Sequence, residues 1–262
     1  MASRAEKSWG GLVLRSCHTV GEFRQVVALE KEVWGFDDIE LIPARFFVVG
    51  DKIGGHVLGA YDGSALGSNL VAFVFGVPGV RRGHAYIHSH MLAVKQTHRN
   101  TGLGREMKLF QREVAMAEGF ELIEWTFDPL EIKNSYFNLE KLGAVARHYV
   151  VNQYGITSSP LQGGLPSDRL VAEWWLRSER VVETLRSGKR PETAIAERVE
   201  IPGEIYGWKA REETRAQAAE VLRQTRERLQ GCFRDGLTVV GYERAANGAG
   251  CFLLGPWSGA EW

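Results

Sequence analysis

The chain is poor in cysteine: Cys17, Cys232 and Cys251 are the only three among 262 residues. They are odd in number, far apart and without any C-x-x-C spacing. That argues against a disulfide framework or a cysteine zinc site and suits a reducing compartment. Net charge is lacking too, since 32 basic side chains face 32 acidic ones. A nucleic acid or an anionic membrane therefore finds no electrostatic hold at the level of the whole chain. Long apolar runs are missing: no window approaches the roughly 18 uninterrupted apolar residues of a membrane-spanning helix. The start, Met1-Ala-Ser-Arg-Ala-Glu-Lys7, has no apolar signal core. The expectation is a cytoplasmic protein with no nucleic-acid or membrane partner. Internal repeats and low-complexity tracts are absent as well.

What is present is ordinary for a globular chain: 44% apolar and 24% charged residues. The length suits one large domain, or one domain with a small appendage. A strand at 11–15 precedes a helix opened by Thr19, with Glu22 three residues on as a capping box. Pro43 restarts a short segment after the acidic turn at Gly35. Strands at 55–61, 69–75 and 85–94 are separated by Asp62-Gly63 and Pro78-Gly79, which reads as an antiparallel meander. A helix over 102–118 places Leu103, Met107, Phe110 and Val114 on one face. A strand at 120–127 follows, and a strand, helix and strand joined this tightly predict a right-handed parallel crossover. A short helix at 134–142 stopped by Gly143 precedes strands at 144–152 and 170–176. The character changes after Arg177: 187–191 reads as a linker, 209–230 as a charged helix, and 237–243 with 251–254 as a hairpin.

The stretch 88–104 reads HSHMLAVKQTHRNTGLG. Within it, Arg99-Asn-Thr-Gly-Leu-Gly104 stands where a strand turns into a helix. Glycine lets the backbone approach a ligand there, and the first helical N–H groups have no intrahelical partner. The helix dipole adds positive potential, so the spot suits a phosphate or pyrophosphate, with Arg99 and Arg105 adding charge-assisted contacts. The other reading is a helix entry that needs glycine only for close packing. Neither the G-x-G-x-x-G nor the P-loop spacing is present. His88 and His90, two apart on a strand, point to one face. Imidazole, with an ordinary pKa near ~6.5, is suited to taking a proton near neutrality. The same pair could instead be hydrogen-bonded core residues. A metal site is not expected, because no third ligand lies nearby.

The order of elements, Leu92-Ala-Val94 closing its strand, Arg99-x-x-Gly102-x-Gly104, Asn134 and Glu140-Lys-Leu-Gly143 together resemble the GNAT superfamily of acyl-CoA-dependent N-acyltransferases. The resemblance spans about residues 11–177, and within the superfamily the chain looks like an uncharacterised bacterial branch. It implies an α/β (α+β) fold with a mixed, mostly antiparallel, splayed sheet flanked by helices. Residues 1–180 would form this domain and 181–262 a small C-terminal helix-hairpin extension, which is a candidate homodimer contact. It implies acetyl-CoA as cofactor. Its pantetheine arm would pair with the backbone of Met91, Leu92, Ala93 and Val94, and its pyrophosphate would sit on Arg99, Asn100, Thr101, Gly102, Leu103, Gly104 and Arg105. A backbone N–H near Leu92 would face the thioester oxygen, and Asn134 would flank the coenzyme. His-x-His-x-Leu-Ala-Val also resembles the arylalkylamine N-acetyltransferase branch, where the histidine pair serves the amine; that makes His88 and His90 the catalytic candidates.

One departure stands out. Many superfamily members carry a tyrosine that protonates the leaving thiolate in the stretch occupied here by Asn138-Leu139-Glu140. Leucine cannot donate a proton, so water, Tyr136 or an unassisted thiolate takes that part. Trp125 and Asp128 are candidate acceptor-binding residues, although Asp128-Pro129 is also a turn starter. Asp168-Arg169 either caps the acceptor pocket or forms a structural ion pair. The expected reaction is acetyl transfer to the primary amine of a small molecule by direct attack. The rival readings are a non-catalytic acyl-CoA sensor and a protein N-acetyltransferase.

Overall fold

The structure, a computed structural model, describes residues 5–63, 69–159 and 162–259. Two units divide the chain, residues 1–123 and 124–261. The first begins with β1 (Glu6–Trp9) and β2 (Leu12–Ser16), joined through Gly10 and Gly11 at φ 56° and 83°. Two consecutive positive φ values are what a two-residue hairpin turn requires. The sequence reading found β2 but not β1, because Glu6-Lys7-Ser8 has no apolar alternation to betray a strand.

Helix α1 (Val20–Trp34) starts at Thr19, as expected. The Glu22 amide donates to Thr19 Oγ1 at 3.2 Å, and the Thr19 amide donates back to Glu22 Oε2 at 2.9 Å. It stops at Gly35 in the left-handed region, whose N–H donates to the Lys31 carbonyl. After α2 (Ala44–Lys52) come β3 (His56–Asp62), β4 (Asn69–Arg81) and β5 (His84–Val94), then α3 (Leu103–Ala117). The strands lie in the order β1-β2-β3-β4-β5, every pair antiparallel, so the predicted meander is present. Strand β3 is buried on both faces, which explains its unbroken apolar run. One face packs Phe73, Phe75 and Met91 against Phe23 and Val26 of α1 and Phe47 of α2. The other packs Leu58, Ala72 and Val74 against Leu103, Met107, Phe110 and Val114 of α3, the stripe expected from the helical period.

The second unit takes up β6 (Leu122–Phe127), then α4 (Ile132–Tyr136), a π-helical turn over Phe137–Lys141, β7 (Val145–Val150) and β8 (Arg169–Trp175). It continues with α5 (Glu179–Ser187), β9 (Glu197–Ile201), α6 (Ile205–Ala210), α7 (Arg215–Arg234), β10 (Thr238–Arg244) and β11 (Gly250–Gly255). Its strand order is β6-β8-β7-β10-β11-β9. The hairpin predicted from 237–254 is β10 with β11. The boundary expected at 180/181 falls inside this unit, and the C-terminal strands extend its sheet, with Val239 of β10 opposite Ala146 of β7. Buried Arg180 ties the two together, donating to the carbonyls of Gly143 and Val240. The single helix expected at 209–230 is two, because Arg211 is extended at φ −119° and ψ 135°. Strand β9 and helix α5 were not foreseen. No described helix is long and apolar enough to cross a membrane.

Removing the cap hydroxyl of α1 tests the local rule. Thr19→Ala should lower stability by about 1 kcal/mol in urea unfolding, the usual cost of losing an N-cap.

Candidate functional site

The predicted histidines stand on β5, and an irregularity in that strand decides how they are presented. Opposite β4 the pairing passes from Phe75 with Met91 to Gly76 with Ser89. His90 is thus the extra residue of a β-bulge, a device that re-aims side chains. The His88 and His90 ring centres are 6.2 Å apart, so the pair is brought together as the alternation predicted. His90 also meets the ring edge of Phe75 at 6.4 Å, and Phe75 in turn meets Phe46 of α2 at 6.0 Å, edge to face. The pair therefore belongs to the α1 and α2 face of the sheet. Phe46 is 47% exposed, so this face of the sheet carries an open aromatic ring. His90 is exposed and His88 half-buried. Desolvation by the protein around the ring, and then the charge of His88, lower the His90 pKa from 6.5. A His90 that stays neutral at pH 7 keeps a lone pair for a proton.

At the end of β5 the chain makes a 3₁₀ turn over Gln96–His98 and then the predicted anion loop. Asn100 and Gly102 both sit in the left-handed region, at φ 63° and 94°. Gly102 is the N-cap of α3 and has no capping side chain. Thr101 Oγ1 donates to the His98 carbonyl at 2.7 Å and accepts the Leu103 amide at 3.4 Å. The first amide that reaches back into the helix is Glu106, to the Gly102 carbonyl at 3.1 Å. The N–H groups of Gly104 and Arg105 thus head the helix without an intrahelical acceptor. A Cβ on Gly102 would lie 3.8 Å from the Trp9 ring, and one on Gly104 3.7 Å from Val94, so neither glycine is demanded by crowding. What demands glycine is the φ of Gly102. The glycine is thus set by the turn itself and not by close packing. Arg99 Nε donates to the Val94 carbonyl at 3.1 Å, which fastens the loop to the end of β5. Met91, Leu92, Ala93 and Val94 are all on β5, as expected.

In the second unit, Asn134 is exposed on α4. Leu139 is fully buried, so the place of the resemblance's proton donor is core. Glu140 is structural: it accepts Arg190 Nε at 2.8 Å and the Tyr242 amide at 2.7 Å. Trp125 is buried edge-to-face against Trp174, with ring centres 5.9 Å apart. Asp128 is occupied in a way that its sequence context did not show. Its Oδ1 accepts the Leu130 amide at 2.8 Å, completing the turn, and its Oδ2 pairs with buried Lys209 at 3.0 Å. Lys209 is 81 positions away, so only the fold could reveal that its charge answers the carboxylate expected to bind an ammonium group. Asp168 pairs with Arg226 at 2.7 Å and takes the Tyr149 hydroxyl at 2.7 Å. Arg169 instead donates to the Asp168 backbone carbonyl. Among the described residues, no group of three or more His, Cys, Asp or Glu could hold a metal ion.

No protein-family model matches the chain, and no curated protein does either. Solved structures do. In fold the chain is similar to acetyltransferases of the GNAT family. The ribosomal-protein-S18-alanine N-acetyltransferase of Escherichia coli is 13% identical, at a TM-score of 0.48 over 64% of this chain and 95% of that one. The acetyltransferase of GNAT family from Streptococcus pneumoniae is 16% identical, at a TM-score of 0.47 over 62% and 97%. The NatC complex bound to Gag peptide and CoA contains a chain 13% identical, at a TM-score of 0.48 over 62% and 96%. What this chain does is decided by its own side chains.

Gly102→Ala should cost about 1–2 kcal/mol of stability in urea unfolding, the penalty of a Cβ in the left-handed region. Gly104→Ala, at a position free of that strain, should cost less.

Proposed function

We propose that the protein is an acetyl-CoA-dependent N-acetyltransferase acting on the primary amine of a small molecule. The observation that carries this reading is the turn at Gly102: a left-handed glycine opens α3 directly after the histidine-bearing strand. A pyrophosphate fits there chemically, since oriented amides, the helix dipole and Arg105 all favour an anion. Thr101 to Arg105 would hold that group, and the β5 backbone from Met91 to Val94 would hold the pantetheine arm. When bound, the coenzyme supplies an activated acyl thioester.

The side chains of the first unit supply the rest. A primary amine, with a pKa near ~10, must lose a proton before it can attack. His90, held neutral by its surroundings, takes that proton at a ring nitrogen, directly or through a water, with His88 beside it. Phe46, 47% exposed, offers apolar contact to the body of an amine, which favours a small acceptor with a hydrophobic part. Buried Leu139 could give no proton to a departing thiolate, and a thiolate, far less basic than an alkoxide, would not require one, so its burial does not forbid turnover. That same leucine is what favours the second reading, a sensor that binds acyl-CoA without transferring the acyl group.

Calorimetric titration with acetyl-CoA, followed by thiol release over an amine panel, decides between them. Binding with turnover supports the enzyme, binding without turnover the sensor, and absence of binding ends both. The lowered pKa of His90 fixes the pH dependence. Activity should be full above pH 6.5 and lost as pH falls through a midpoint below that value. His90→Gln should remove this limb and lower kcat by about a hundredfold; a retained limb would assign the base elsewhere.

A further inference from the structure

Behind the histidine pair, on the α3 side of the sheet, lies a polar cluster that the proposed chemistry does not use. Ser89 sits between His88 and His90 in sequence, and its side chain points the other way. Its hydroxyl donates to Gln111 Oε1 at 3.0 Å and accepts from Lys108 Nζ at 3.0 Å. Lys108 also donates to Gln111 Oε1, again at 3.0 Å, which closes a triangle. All three residues are buried, with exposures of 4%, 3% and 0%. The strand opposite is fitted to the same spot. Gly76 pairs with Ser89, and a Cβ there would come within 3.2 Å of Gln111 Nε2 and 3.1 Å of the His88 carbonyl.

We infer that Lys108, Ser89 and Gln111 are positioning residues for the histidine pair, a buried plug that locks the bulge at His90 in one register. The inference rests on the acetyltransferase reading of the site. An amine, a hydroxyl and an amide are buried together on the face of the sheet where α3 packs Leu103, Met107 and Phe110. Burial there costs desolvation, and it lowers the Lys108 pKa to about 7. Apolar side chains would fill the space more cheaply. What the polar trio adds is direction. A strand that has absorbed one extra residue can slip by one, and a slip turns every side chain beyond it to the other face. Ser89 meets Lys108 and Gln111 in one register only. In the slipped register the hydroxyl loses both partners, and a histidine turns toward the α3 core. The plug therefore penalises the arrangement in which the histidines leave the acceptor face.

The test compares Ser89→Ala and Lys108→Met with the wild type in the full chain. Two readouts are used: histidine-ring NMR spectra of the free protein, and acetyl-CoA-dependent turnover of an amine that the wild type accepts. The expected result is displaced or doubled ring signals for His88 and His90. With it, kcat should fall about tenfold to a hundredfold, the cost of misplacing a catalytic group by an ångström or less. The KM for acetyl-CoA should stay within about twofold, because the coenzyme loop is untouched. Ring signals or a kcat unchanged in both variants would overturn the inference. Should Lys108→Met not fold, Ser89→Ala, the loss of one oxygen atom, carries the comparison. A wild type without turnover on any amine sinks the acetyltransferase reading instead, and the ring spectra alone then decide whether the plug positions the histidines.

Discussion

The site depends on one geometric constraint: β5 must end in a left-handed glycine that opens α3. Gly102 at φ 94° turns the chain from strand to helix so that the leading amides of α3 follow the histidine strand within a few residues. Any side chain at that φ would strain the turn, and a looser connection would separate the leading amides of α3 from His90. Both halves of the proposed chemistry, holding a diphosphate and taking a proton, thus hang on a single backbone conformation. Leu103, Met107 and Phe110 lock it in place by burying the first turns of the helix in the core.

A second constraint works at right angles to the first. The sheet presents different chemistry on its two faces at the same residues of β5. The α1 and α2 face carries His88, His90 and the Phe75–Phe46 edge, while the α3 face carries Ser89 against Lys108 and Gln111. Alternation along a strand makes this division possible, and the bulge at His90 adjusts it. The fully buried polar trio is costly as packing but strongly directional, which is the kind of compromise that a positioned functional group makes understandable.

In the second unit, residues that looked functional in one dimension are absorbed into structure. Asp128 pairs with Lys209, which it shares with Glu131, Asp168 pairs with Arg226, and Glu140 with Arg190. Each partner lies 50 to 81 positions away, in the C-terminal segment. That segment is therefore not an appendage in the physical sense, since its strands and its charges complete the unit that starts at Glu124.

The sequence by itself determined whatever depends on neighbours a few residues apart. The capping box at Thr19, the apolar stripe of α3, the meander with its glycine turns and the Arg99-to-Gly104 loop are all set by local sterics, backbone hydrogen bonding and periodicity. Placing both histidines on one face needed only the two-residue period of a strand. The tertiary structure alone decided the bulge, because an extra residue in a ladder shows only once the partner strand is aligned. It also decided β1 and β9, whose polar sequences become strands through pairing, and the fate of each carboxylate, because charge compensation acts through space. Asp128 illustrates the point: beside Pro129 it reads as a free acid or a turn starter, and only the folded chain brings Lys209 within 3.0 Å to make it a clamp.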